Sequence, residues 1–141
     1  MATVESVLFD RVTGYAGVAA LMGTRLYPAA LPADVTLPCM SYKRTAAERT
    51  AVFGGVNAGP VMATFEFTCW ATTHLGVRAL ADQLRQALDR WATTTGVTVE
   101  DVFLESESDD VSEVAIAGAE GSDVVYPHFA LLMFRVIYRE S

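Results

Sequence analysis

A chain of 141 residues with 17 acidic and 10 basic side chains carries a formal charge of −7, and 52% of it is hydrophobic. That length suits one domain (residues 1–141) able to bury about two-thirds of its unfolded surface, so no metal or disulfide staple is required. The acidic balance, with Lys43 the only lysine, argues against wrapping nucleic acid, because phosphate affinity comes from Lys and Arg.

The high apolar content points instead to surface covered by other chains. No stretch approaches the about 18 apolar residues of a membrane span. The opening MATVESVLFD has neither the basic start nor the apolar run of a secretory signal, so synthesis in a reducing cytoplasm is expected. Cys39 and Cys69 both lie in apolar, strand-like runs and read as free buried thiols.

In chain order, Thr3 can cap a first helix whose Val4, Val7, Leu8, Val12 and Tyr15 share a face, with Glu5 where the helix dipole favours an acid. Ala16–Met22 predicts a second short helix stopped by Gly23, and Arg25–Pro28 a short extended piece. Pro38 opens a strand, CMSYKRTAAERT, in which Cys39, Ser41 and Lys43 alternate with Met40, Tyr42 and Arg44. Its pattern fades beyond Ala46, and Arg49–Pro60 reads as a hairpin tip or an arm.

From Val61 to Trp70 the period is two: Phe65, Phe67 and Cys69 alternate with Thr64, Glu66 and Thr68. After Ala71 it becomes helical. Val77, Leu80, Ala81, Leu84, Ala87, Leu88 and Trp91 form one stripe, with Thr72 or Thr73 as N-cap and Thr93–Gly96 as the stop. Val97, Val99 and Phe103 fit a strand that runs into seven acids from Glu100 to Glu113 with no basic residue between them, expected to be a flexible, solvated hairpin. Val114–Asp123 predicts a long loop or a two-stranded arm. The last strand, about Tyr126 to Arg139, is apolar on both faces and therefore interior to its sheet.

The order α, α, β, β, β, α, β, β lacks recurrent βαβ units. It predicts an α+β fold: a mostly antiparallel sheet, mixed pairing possible, of about four or five strands with the long helix and the N-terminal helix on one face.

No set of residues predicts catalysis. His74 and His128 lack a G-x-S-x-G partner, two cysteines thirty positions apart make no zinc site, and the acids lack calcium-loop spacing. FGGVNAGP matches neither phosphate-binding glycine pattern. No cofactor is called for. Two segments, Ala46–Pro60 and Val114–Val125, are too long for tight turns and carry apolar residues without core partners, which suits arms that add to a neighbour's sheet edge.

Five stretches together resemble the tail completion (tail terminator, head-to-tail joining) proteins of long-tailed bacteriophages and gene-transfer particles. They are VAALMGTRLYPAALP (18–32), LPCMSYKR (37–44), FEFTCWATTHLGVRALADQLRQAL (65–88), VFLESESD (102–109) and FRVIYRE (134–140). Ala115–Val125 departs from the pattern by its length and glycine content.

The resemblance implies a structural virion protein and no enzyme. Such a protein forms a ring, typically of six copies, at the head-proximal end of the tail after assembly in the host cytoplasm. The implied partners are further copies of itself, the tail tube protein and the head connector or adaptor proteins. DNA would pass through the ring without specific binding, and no membrane is involved. The expected contact residues are Arg44, Arg49, Val52, Phe53, Val56, Val114 and Ile116. Glu105, Glu107, Asp109, Asp110 and Glu113 are expected to line the channel or dock a basic partner. The rival reading is a small acidic cytoplasmic binding or regulatory module acting as a dimer.

Overall fold

A computed structural model describes residues 3–33, 35–49, 60–112, 116–117 and 124–139. Three helices, α1 (Val4–Gly14), α2 (Ala16–Met22) and α3 (His74–Leu88), accompany five paired strands: β1 (Leu26–Pro28), β2 (Cys39–Arg49), β3 (Pro60–Ala71), β4 (Thr98–Val111) and β7 (His128–Arg139). The sheet order is β1-β2-β3-β7-β4. Only β1–β2 is parallel, so the sheet is mixed but mostly antiparallel, as expected. Between β4 and β7 a separate two-stranded pair, β5 (Ile116–Ala117) with β6 (Val124–Val125), realises the predicted arm.

The helices start and stop where the local chemistry directs. Thr3 and Ser6 satisfy each other's backbone N–H groups in a reciprocal cap of α1. Gly23, at φ 62°, closes α2 in a conformation that favours glycine. Thr73 accepts from the Gly76 N–H to begin α3. The predicted helix end needs correction: α3 stops at Leu88, and Trp91 lies beyond it because Arg90 adopts φ 63°.

All three helices lie on one face. The odd residues of β3 (Val61, Ala63, Phe65, Phe67, Cys69) and the even residues of β7 (Ala130, Leu132, Phe134, Val136, Tyr138) meet the α3 stripe of Val77, Leu80, Ala81, Leu84, Ala87 and Leu88 in one buried core. α1 adds Val4, Leu8 and Val12 to it. The rings interlock: Phe134 meets Phe67 edge-on at 5.7 Å, and Tyr42 stacks on Phe67 at 5.8 Å. Burying each large side chain contributes about 1.5–3 kcal/mol.

Arg11 ties the first helix to the end of the third. Its Nε donates to the Ala87 carbonyl at 2.8 Å, one of the carbonyls a helix end leaves unpaired, and its guanidinium lies over the Tyr15 and Trp91 rings.

Two boundaries differ from expectation. β2 continues past Ala46 to Arg49, carried by its pairing with β3. The acidic tract is a strand and no hairpin: residues 100–110 lie within β4, which pairs with β7, and Glu113 lies outside the described residues. β7 is accordingly an interior strand, as its two apolar faces predicted.

Candidate assembly surfaces

Among the described residues the opposite face of the sheet carries no helix. Across it lie Lys43 on β2; Met62, Thr64, Glu66, Thr68 and Trp70 on β3; Phe129, Leu131, Met133, Arg135 and Ile137 on β7; and Phe103, Ser106, Ser108 and Asp110 on β4. Most are half-buried, and Thr68 is fully so, as are Cys39 and Ser41 beside it on β2. Trp70 packs on Phe129 at 5.3 Å, and its indole N–H is buried with no partner among the described residues.

The acidic strand is tied down by arginines from distant parts of the chain. On the helix face, Arg78 of α3 reaches Asp109 at 2.8 Å and Glu107 at 3.1 Å. Burial works against the Arg78 charge, but the hydrogen bonds it donates to these two carboxylates outweigh it and raise its pKa. Arg135 holds Glu105 at 2.5 Å, Arg139 holds Glu100 at 2.5 Å, and Arg90 holds Asp101 at 3.0 Å while covering the Phe103 ring. Asp110 has no ion pair among the described residues, and its Oδ1 accepts from the Val111 N–H.

The expected contact residues fall into three groups. Arg44 lies midway along β2 and Arg49 ends it, both in exposed positions, and Arg44 pairs with Glu5 and covers Phe65. Ile116 lies in β5. Val52, Phe53, Val56, Glu113 and Val114 lie outside the described residues. Of the acids, Glu105, Glu107, Asp109 and Asp110 share one strand.

Sequence reasoning missed several exposed apolar side chains. Leu75 at the start of α3 is 81% exposed, Tyr126 before β7 is 55% exposed and Val111 at the end of β4 is 44% exposed. Leu75 falls off the α3 stripe, a signal present in the spacing.

Both thiols are shut away. Burial raises the Cys39 pKa to about 11 against the pull of Arg25, and it pushes fully enclosed Cys69 further up. Among the described residues no group of three or more His, Cys, Asp or Glu side chains could hold a metal ion, and no helix is long and apolar enough to cross a membrane.

Among the described residues, helices cover one face of the sheet and none covers the other. The family model for tail completion protein gp17 matches residues 6–115, and the chain belongs to that family. It is thus a structural protein of the phage tail, located in the virion, and its family is not one of enzymes. Among solved structures it is similar to a chain in the virion of a native gene transfer agent (GTA) particle. The TM-score is 0.66, with 94% of this chain and 92% of that chain covered, and at 14% identity the likeness is one of fold. No curated protein matches.

Proposed function

We propose that copies of this chain close a ring, of six as the family resemblance implies, on the head-proximal end of the tail tube, and that the ring joins the tube to the head connector. Family membership over residues 6–115 carries this reading. The open sheet face and the exposed Leu75, Tyr126 and Val111 support it as apolar surface suited to neighbours. Arg44 and Arg49 on β2, with the arms bearing Val52, Phe53, Val56, Val114 and Ile116, supply contacts between copies.

The channel of the ring passes DNA without holding it. A net charge of −7 per copy favours repulsion of phosphate over adhesion, with Glu105, Glu107, Asp109, Asp110 and Glu113 as the lining and Arg78 and Arg135 offsetting only part of their charge. Electron microscopy of purified protein mixed with tail tubes tests the reading: rings, or tubes capped at one end, are expected. A strict dimer that never touches tube ends would favour the small cytoplasmic regulator instead.

A further inference from the structure

The large exposed apolar side chains among the described residues, Leu21, Leu75, Val111 and Tyr126, gather towards one end of the sheet. That end holds β1, the start of β2, the end of β3, the start of β7 and the end of β4. On its β4 side stand Val111 and Tyr126, drawn together by the bond from the Ser112 N–H to the Pro127 carbonyl. Leu75 lies one turn before Arg78, the residue that reaches over to Glu107 and Asp109 on β4.

The β1 side is uncharged surface. From Tyr15 to Ala33 the only charged side chain is Arg25. Exposed positions along it include Ala19, Ala20 and Leu21 on α2 and Pro28, Ala29 and Ala30 after it. α2 has no polar side chain at all. Val18 and Met22 turn inward, and the remainder of the helix faces solvent. A helix that is apolar all round belongs under cover.

The two sides carry opposite charges at one matched level. β1 runs parallel to β2 with Leu26 opposite Met40, which sets Arg25 opposite Cys39. The same row continues through Trp70 on β3 and Phe129 on β7 to Asp110 on β4. Arg25 and Asp110 therefore stand at the two ends of one row across the sheet. They also share a face. Leu26 joins the helix-side core and Asp109 meets Arg78 of α3, so their neighbours Arg25 and Asp110 project on the opposite side. Neither has an ion pair among the described residues. Arg25 Nε donates to the Pro38 carbonyl and Asp110 Oδ1 accepts from the Val111 N–H, which leaves the terminal guanidinium nitrogens and Oδ2 to meet each other across a contact.

We infer that neighbouring copies in the ring meet side by side at this end. The uncharged α2–β1 side of one copy covers Val111, Tyr126 and Leu75 of the next, and Arg25 pairs with Asp110 across the seam. This rests on the ring reading proposed above and names its seam. The occupant is a second copy because one chain carries both halves, at the same level, on opposite sides and opposite in charge. Like sides do not serve, since Arg25 would then face Arg25, or Asp110 its own kind. The contact is head-to-tail, and repeated with rotation it closes a ring. Because one row ends in both charges, neighbours sit level with all helix layers facing the same way.

Charge reversal on rings or capped tubes tests the seam. Arg25→Glu and Asp110→Arg each set like charges across it and should each lose rings at low salt, with the circular dichroism spectrum of the free chain unchanged. The two changes in one chain, or an equal mixture of the two single variants, should restore rings. Single variants that form rings like the wild type, or a double variant and a mixture that both stay unassembled, would overturn the pairing.

Thiol cross-linking reads the contact directly. Thr24→Cys and Val111→Cys, exposed positions beside the two charges, are made singly and together and treated with a short bis-maleimide; Cys39 and Cys69 are buried. The double variant should give a ladder of covalent multiples, an equal mixture of the single variants should give dimers, and each single variant alone none. Dimers from either single variant mean that like sides meet, and intact rings without a ladder mean that the ring closes elsewhere; both sink the seam, and the second leaves the ring standing. Leu75→Asp should lose rings as well. Rings that form with it but no longer cap tubes would assign this apolar surface to the tube protein and overturn the seam. If wild-type protein neither forms rings nor caps tubes, the ring reading fails, and the ladder in free protein alone decides the contact.

Discussion

The two faces of the sheet share four long strands and follow opposite rules. On the helix face, β3 and β7 contribute side chains that are almost all fully enclosed, from Val61 and Phe65 to Phe134 and Tyr138. On the other face the same strands turn out Met62, Met133 and Ile137 among Thr64, Glu66 and Arg135, half-buried and laced with charge. Stability is concentrated where packing is complete. The open face keeps apolar contact area in reserve at little cost to the free chain, because its charged neighbours keep it soluble.

The largest expected difference sits at one pair of positions. Phe67→Ala removes a ring held between Tyr42 and Phe134 and should lower the unfolding free energy by about 3–5 kcal/mol. Met133→Ala on the open face should cost only about 1 kcal/mol. Equal losses in urea denaturation would erase the contrast between the faces.

Next comes alkaline pH. Cys39 pairs across to Trp70 on the open side and Cys69 faces the helices, and both thiols are raised above the ordinary value by burial. Above pH 9 the unfolded chain ionises its thiols first and binds fewer protons than the folded one. Stability that is complete below that pH is therefore lost as pH rises towards about 11, where folded Cys39 also ionises. The fall, on the order of 2 kcal/mol, should shrink in Cys39→Ala when the variants are compared by pH-dependent denaturation. Iodoacetamide at rising pH should label Cys39 before Cys69.

Arg78→Met strips β4 of its tie to the helix layer and should cost about 1–2 kcal/mol at low salt and less at high salt, since the pairs are part-exposed. Thr73→Ala, which removes only the N-cap of α3, should cost about 1 kcal/mol by thermal unfolding. Smallest is Lys43→Ala on the open face, where the 3.9 Å approach to Glu66 is exposed and the change should stay within about 0.5 kcal/mol.

Much of this fold is legible in the residues because periodicity reports directly on burial. The stripe from Val77 to Leu88 and the alternation through Phe65, Phe67 and Cys69 each announce an element and its inward face. The second half of β4 is not legible. Glu105, Ser106, Glu107, Ser108, Asp109 and Asp110 contain no apolar residue, so no period shows. What makes them a strand is the neighbouring β7 ladder and the arginines at positions 78 and 135, remote in sequence.

The helix end misled for a similar reason. Trp91 continues the apolar spacing and still packs against the core, but it reaches there from beyond the left-handed turn at Arg90. Arg44 and Arg49 fall on β2 and the acids from Glu105 to Asp110 on β4, whereas exposed Leu75 needed attention to a residue that fits no stripe.

The register shifts within the sheet are unevenly placed. β3 and β7 run side by side for twelve pairs without a slip, whereas β2 shifts between Arg44 and Ala46 and β4 shifts at both Val99/Asp101 and Leu104/Ser106. A bulge sharpens local twist and breaks the even comb of donors and acceptors that an arbitrary strand could grip. The two strands that flank the regular β3–β7 pair, β2 and β4, thus present an uneven comb, which works against indiscriminate strand addition in a chain whose mean hydropathy is as high as +0.29.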